Sequence, residues 1–172
     1  MKVKSSLIII LGLTIGCHSY SFAQASVSAV ANAHVIAPIS LVKNVDMNFG
    51  NIAASVSTGG TVVLAAAGTR ATGGSGGVTL PAAAGTVAAA SFTVSGTDSY
   101  SYAITLPGTV TISNGSNSMT VSSFNSNPSS TGSISSAGTQ NISVGATLNV
   151  AAGQSPGTYS NSTGVTVTVN YD

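Results

Sequence analysis

The chain closes on Val165-Thr166-Val167-Thr168-Val169-Asn170-Tyr171-Asp172. Apolar side chains stand at each odd position and polar ones at each even position. A strand has a side-chain period of two, so Val165, Val167, Val169 and Tyr171 share one face. Thr166, Thr168, Asn170 and Asp172 share the other. A helix would scatter both sets around its circumference. The stretch reads as a half-buried strand, and β-branched valine and threonine suit that pleated surface.

The same period recurs upstream. Tyr100, Tyr102, Ile104 and Leu106 lie opposite Ser99, Ser101 and Thr105. Phe92 and Val94 sit among Ser91, Thr93 and Ser95, and Met47 and Phe49 alternate with Asp46 and Asn48. Val27, Ala29, Ala31, Ala33 and Val35 alternate with Ser28, Asn32 and His34, broken by Val30. Turn pairs separate these runs: Gly59-Gly60, Gly73-Gly74, Pro107-Gly108, Asn114-Gly115, Asn127-Pro128 and Pro156-Gly157. Asn114-Gly115 between Val110/Ile112 and Met119/Val121 predicts a tight hairpin. Residues 82–90 are rich in alanine, but Gly85 and β-branched neighbours weaken a helix there. Gly68 to Gly77 reads as a flexible exposed loop. The pattern predicts an all-β chain, a single antiparallel immunoglobulin-like β-sandwich of roughly eight to ten strands.

The N-terminus is of another kind. Lys2 and Lys4 precede an apolar run from Leu7 to Ile15, and Ser21-Phe22-Ala23-Gln24-Ala25 supplies small residues for cleavage. Residues 1–25 are expected to be a removable signal peptide and 26–172 the mature domain. A lipoprotein reading, with Cys17 acylated after Thr14-Ile15-Gly16, is the alternative; it leaves Ala23-Gln24-Ala25 unexplained. No later segment is apolar for long enough to span a bilayer. The expected location is exported: periplasm, outer-membrane surface or extracellular.

Charge is scarce. Beyond residue 25 the ionised side chains are Lys43, Arg70, Asp46, Asp98 and Asp172, a formal net charge of −1, and glutamate is absent throughout. Two cations cannot neutralise a run of phosphates, which argues against nucleic acid and anionic membrane as partners. Solubility must rest on Ser, Thr, Asn and Gly. Strand edges without lysine also lack the usual guard against pairing with other chains.

Particular residues carry a resemblance. Ala33-His34-Val35-Ile36-Ala37-Pro38-Ile39-Ser40-Leu41, then Asp46-Met47-Asn48-Phe49-Gly50-Asn51-Ile52, resemble the opening of domain-of-unknown-function family 4402. Tyr102 to Pro107, Val144 to Leu148, Pro156-Gly157-Thr158-Tyr159 and Val165 to Tyr171 fit the same pattern in order. The resemblance implies a bacterial, exported, all-β domain. A looser similarity, to spore-coat-U-like and chaperone–usher pilus subunits, rests on the Asp-x-x-Phe-Gly opening and the penultimate Tyr171. It implies a sandwich that lacks one strand, completed by strand addition from a neighbour or a periplasmic chaperone. The cysteine pair common in those subunits is missing here.

Catalytic inventory is thin. His34 is the one histidine beyond residue 25, and it falls on the polar parity of its run, as an exposed strand residue would. Asp46, Asp98 and Asp172 are too scattered for an acid–base pair or a calcium cage. A transition-metal site lacks its His and Cys ligands. The glycines at 73–77 have no lysine beside them and make no phosphate loop. Asn114, Asn141 and Asn161 begin glycosylation sequons that chance supplies in so Asn/Ser/Thr-rich a chain. Tyr100 and Tyr102 are read as core residues before a sugar platform, and Tyr159 as a corner residue whose hydroxyl caps backbone.

No catalytic residue, cofactor or metal is therefore expected, and the chain reads as a structural or adhesive surface protein, not an enzyme. The residues expected to carry assembly are Val27, Ala29, Ala31, Ala33 and Val35 as a donor-like strand, with Val165, Val167, Val169 and Tyr171 as the terminal strand. A monomeric binding module, for example for glycans, is the alternative. A secreted hydrolase stands last.

Overall fold

The structure is a computed structural model that describes residues 23–74 and 76–172. The expected signal peptide falls almost wholly outside the described residues, and Cys17 falls outside them too. The chain divides between His34 and Val35. In the first unit the described residues 23–34 hold no strand and are exposed, Val27 at 98%. The alternation there predicts a half-buried strand, and this is corrected: residues 23–39 carry no strand. Alternation is necessary for a strand but not sufficient. A strand also needs an edge to receive its N–H and C=O groups, and alanine methyls bury little surface.

The second unit, Val35–Asp172, is antiparallel in every pairing and holds twelve strands among its described residues. They are β1 (Ser40–Val45), β2 (Ala53–Ala54), β3 (Gly60–Leu64), β4 (Arg70–Gly73), β5 (Val78–Thr79) and β6 (Ala90–Ser95). Then follow β7 (Ser101–Thr105), β8 (Thr109–Asn114), β9 (Asn117–Asn127), β10 (Thr131–Ser133), β11 (Thr139–Val150) and β12 (Thr168–Tyr171). The excess over eight to ten comes from short pieces: β2 and β5 have two residues each and pair with each other. The expected loop at 68–77 contains β4, which pairs with β3. No helix occurs among the described residues, so none there is long and apolar enough to cross a membrane.

β11 organises the larger sheet. Its first half, Thr139–Val144, pairs with β6, which carries β1 on its far side. Its second half, Ala146–Val150, pairs with β3, while β9 runs along Ser143–Asn149 and carries β8. Gly145 stands at the change of partner. A Cβ there would collide with the Leu64 carbonyl oxygen and the backbone of Ala65 and Ala66, so only glycine admits so close a passage. The second sheet has the order β10-β7-β12.

Two apolar clusters fill the sandwich. One gathers Ala90, Phe92 and Val94 of β6, Ile142 and Val144 of β11, Tyr102 and Ile104 of β7, and Ile134, with Val167, Val169 and Tyr171 packed against it. The larger sheet thus meets the β7–β12 sheet, as expected from the parity of the terminal strand. The other gathers Val62, Leu64, Val121, Ala146, Leu148 and Val150 beneath Phe49 and Val78. Each fully buried Val or Leu is worth about 1.5–3 kcal/mol of transfer free energy, which is how a domain with no cysteine of its own holds together without disulfides. Met47 and Phe124 touch both clusters.

The hairpin forms with a shift of one residue. Asn114 pairs with Asn117, and Gly115-Ser116 make the turn, with Gly115 at φ +58°. Gly-Ser suits a two-residue turn whose first central residue needs positive φ.

Candidate functional site

A concavity lies near two strand edges that each pair on one side alone among the described residues. β1 ends the larger sheet and β12 ends the smaller one. Beside β1, and beneath the connection that leads into β12, opens a cleft of about 1430 Å³. Leu41, Lys43 and Val45 of β1 form one lip; Val165, Thr166 and Val167, which lead into β12, form the other. Its floor is the core itself: Ala90 and Phe92 from the first cluster, and Val110, Ile112, Leu148 and Val150 around the second. A sandwich with both sheets complete would seal this seam.

Local chemistry keeps the lips apart. β1 bulges between Lys43 and Val45, and the Asn44 amide donates to Thr93 Oγ1 (2.9 Å), which donates to Asn141 Oδ1 (2.9 Å). This side-chain ladder runs from β1 across β6 to β11 and reinforces the backbone pairing of β1 with β6. Beyond β1, Asn48 exchanges both backbone bonds with Ala88 (2.8 and 2.9 Å). Arg70 Nη1 donates to the carbonyls of Phe49 and of Asn51, the latter at 2.8 Å. Gly50 at φ +72° makes that turn, its N–H bonded to Asn48 Oδ1 (2.8 Å). The Asp-x-x-Phe-Gly opening is thus a pinned corner that sets one wall of the cleft.

The opposite wall is a long connection from β11 to β12. The Tyr159 hydroxyl donates to the Ser155 carbonyl (2.8 Å) and accepts from Gln154 Nε2 (2.8 Å), the backbone capping expected of a corner tyrosine. Ser160 and Ser113 exchange backbone bonds of 2.8 and 3.1 Å, tying the connection to β8.

At the far end of β12, Tyr171 carries a second lock. Its hydroxyl donates to the Ala37 carbonyl (3.0 Å) and accepts the Thr97 N–H (2.8 Å), and its ring meets Tyr100 edge-on at 5.7 Å. Ala37 N–H in turn donates to Thr97 Oγ1 (2.9 Å). Tyr100 is 40% exposed, so of the tyrosine pair expected in the core only Tyr102 is fully buried.

The structure brings Val165, Val167, Val169 and Tyr171 together on one half-buried face, whereas Val27, Ala29, Ala31, Ala33 and Val35 lie exposed. Sequence reasoning missed the cleft's other contributors, Leu41, Val110, Ile112 and the 154–164 connection.

Ionisable groups do not converge. Among the described residues no three of His, Cys, Asp and Glu gather as a metal site would need. His34, Asp46, Asp98 and Asp172 are all exposed, and the ion pair found is Lys43–Asp46 at 2.6 Å on the surface. Burial pushes the Tyr102 phenol above its ordinary value, and its hydroxyl donates to Gln140 Oε1 at 2.6 Å. A smaller recess of about 300 Å³ beside Ile104, Leu106 and Phe124 has only serine and asparagine at its rim.

Among known proteins, no curated sequence and no solved structure matches this chain. A family model does, and it spans the whole sandwich from just before β1 to the end of β12. With residues 39–171 matched, the chain belongs to the family described as Domain of unknown function (DUF4402).

Proposed function

We propose that this protein is an exported, non-catalytic structural or adhesive module of the cell envelope or surface, and that it assembles by β-strand addition at the cleft. The observation that carries this reading is the open edge of β1 beside a cleft of about 1430 Å³ of mixed polar and apolar lining, whose floor is formed by residues of both core clusters. An added strand would gain main-chain hydrogen bonds from an edge and would bury apolar side chains in the seam. The lips carry no lysine guard beyond Lys43, whose charge is matched by Asp46. A periplasmic chaperone strand fits the same seam before assembly. The signal-like N-terminus supports export.

The test is an immunoblot of material sheared from producing cells, run in SDS with and without boiling. A ladder of multimers that collapses on boiling is expected. A lone monomer band in unboiled samples overturns the reading.

A further inference from the structure

We infer that Asn114 is a site of spontaneous covalent modification. Its side-chain amide is lost to attack by the Gly115 backbone nitrogen, and the acid left behind loosens the 154–164 connection from β8. Nothing in this depends on strand addition at the cleft.

Asn114-Gly115 is the one Asn-Gly pair in the chain, and the fold sets it where the reaction needs it. Gly115 is exposed at the first central position of the two-residue turn, with φ at +58°. A Cβ there would meet nothing within 4 Å, so no side chain and no neighbour crowds the attacking nitrogen. The last rung of the β8–β9 ladder is Asn114 with Asn117, which leaves the Gly115 nitrogen outside the ladder. A terminal rung is also the one that opens most readily, and its opening lets the side chain swing toward that nitrogen.

The step needs no reactant but water. The Gly115 nitrogen bonds to Asn114 Cγ, an intramolecular closure of a five-membered ring. The Cγ–Nδ2 bond breaks, and ammonia leaves with the proton that the Gly115 nitrogen gives up. Water then opens the ring at either carbonyl. Opening at Cγ leaves aspartate. Opening at the Asn114 backbone carbonyl leaves isoaspartate, whose main chain is longer by one carbon.

Either product disturbs a joint. Asn114 is half-buried on the inward parity of Val110 and Ile112, and its Nδ2 rests on Gly157, where a Cβ would overlap it. A carboxylate in that place sets an unpaired charge against backbone, which a neutral amide avoids. The ties of the connection land around the same residue. Ser113 exchanges backbone bonds with Ser160 (2.8 and 3.1 Å). Ser155 Oγ donates to Asn117 Oδ1 (3.3 Å), and Gln154 Nε2 to the Ser118 carbonyl (3.4 Å). The connection that walls the cleft is thus fastened to the hairpin beside the residue that reacts.

The experiment ages the purified protein, folded and in urea, at neutral and at alkaline pH, and follows each asparagine by peptide mass spectrometry. An isoaspartyl methyltransferase labels the isoaspartate. In the folded protein, amide-to-acid conversion is expected at Asn114 at least tenfold faster than at any other asparagine, rising with pH. Asn114→Gln, whose ring closure is slow, should age without change at this position. Asn114→Asp supplies one product from the start, and amide exchange at Ser113 and Ser160 should be faster in it than in the parent. Conversion in urea alone, or at other asparagines first, overturns the modification site. Unchanged exchange at Ser160 in both Asn114→Asp and the aged, isoaspartate-containing protein overturns the loosening of the connection.

Discussion

The Tyr171 hydroxyl donates to the Ala37 carbonyl at 3.0 Å across 134 residues of sequence. The same oxygen accepts the Thr97 N–H, so one phenol joins the lead into β1, the turn after β6 and the terminal strand. Tyr171→Phe keeps the ring against Tyr100 and removes both bonds. A loss of about 1–3 kcal/mol is expected from two hydrogen bonds, one leaving a part-buried N–H unpaired. Urea unfolding would measure it, with faster amide exchange at Thr97 as the local signature.

Arg70 holds a corner with no carboxylate beside it. One nitrogen serves the carbonyls of both Phe49 and Asn51. Arg70→Met keeps much of the stem and strips the donors, so both carbonyls lose a charge-assisted bond. About 2–4 kcal/mol of stability should disappear. Lysine restores charge but not the planar fork, so Arg70→Lys should recover only part. Thermal denaturation of the three proteins orders them.

Gly145 is where β11 leaves β6 for β3, and its missing side chain lets Leu64, Ala65 and Ala66 approach. Gly145→Val would force that backbone away. More than about 3 kcal/mol of destabilisation is expected, with failure to accumulate in cells. Gly108 has open space at its Cβ position, and Gly108→Ala should be neutral within about 0.5 kcal/mol. Paired expression and melting measurements decide it.

The buried Tyr102 gives an alkaline signature. Burial raises its pKa above 10.0, so the folded state favours the neutral phenol. That contribution is complete below the unfolded value and is lost as pH rises through the folded one. Stability should therefore fall above about pH 10, and Tyr102→Phe should flatten the decline. At neutral pH the same change should cost about 1 kcal/mol for the lost bond to Gln140. Denaturant midpoints from pH 8 to 11 would show both effects.

Strand parity was legible wherever bulky and polar side chains alternate, as in β6, β7 and β12. The turn at 115–116 followed from Asn114-Gly115 to within one residue. The stretch from Val27 to Val35 has the same parity, yet it forms no strand in the single chain, because parity says nothing about whether an edge is available. β4 was hidden inside a glycine-rich run, since Arg70-Ala71-Thr72-Gly73 shows no alternation and pairs only because β3 lies alongside. The cleft was illegible for a different reason. Its walls come from 41–54, 110–121 and 148–167, and no local pattern reveals that these segments stop short of meeting.

One strand is shared by everything. β11 gives Ile142 and Val144 to one apolar cluster and Ala146, Leu148 and Val150 to the other, over twelve continuous residues. Neither half of the sandwich can melt while the other keeps its shape, because losing either half frays the rod that braces both. A tug on the chain near Ala37 or at Tyr171 is thus resisted by the whole domain at once. The module should yield in a single abrupt step under tension, without stretching by stages.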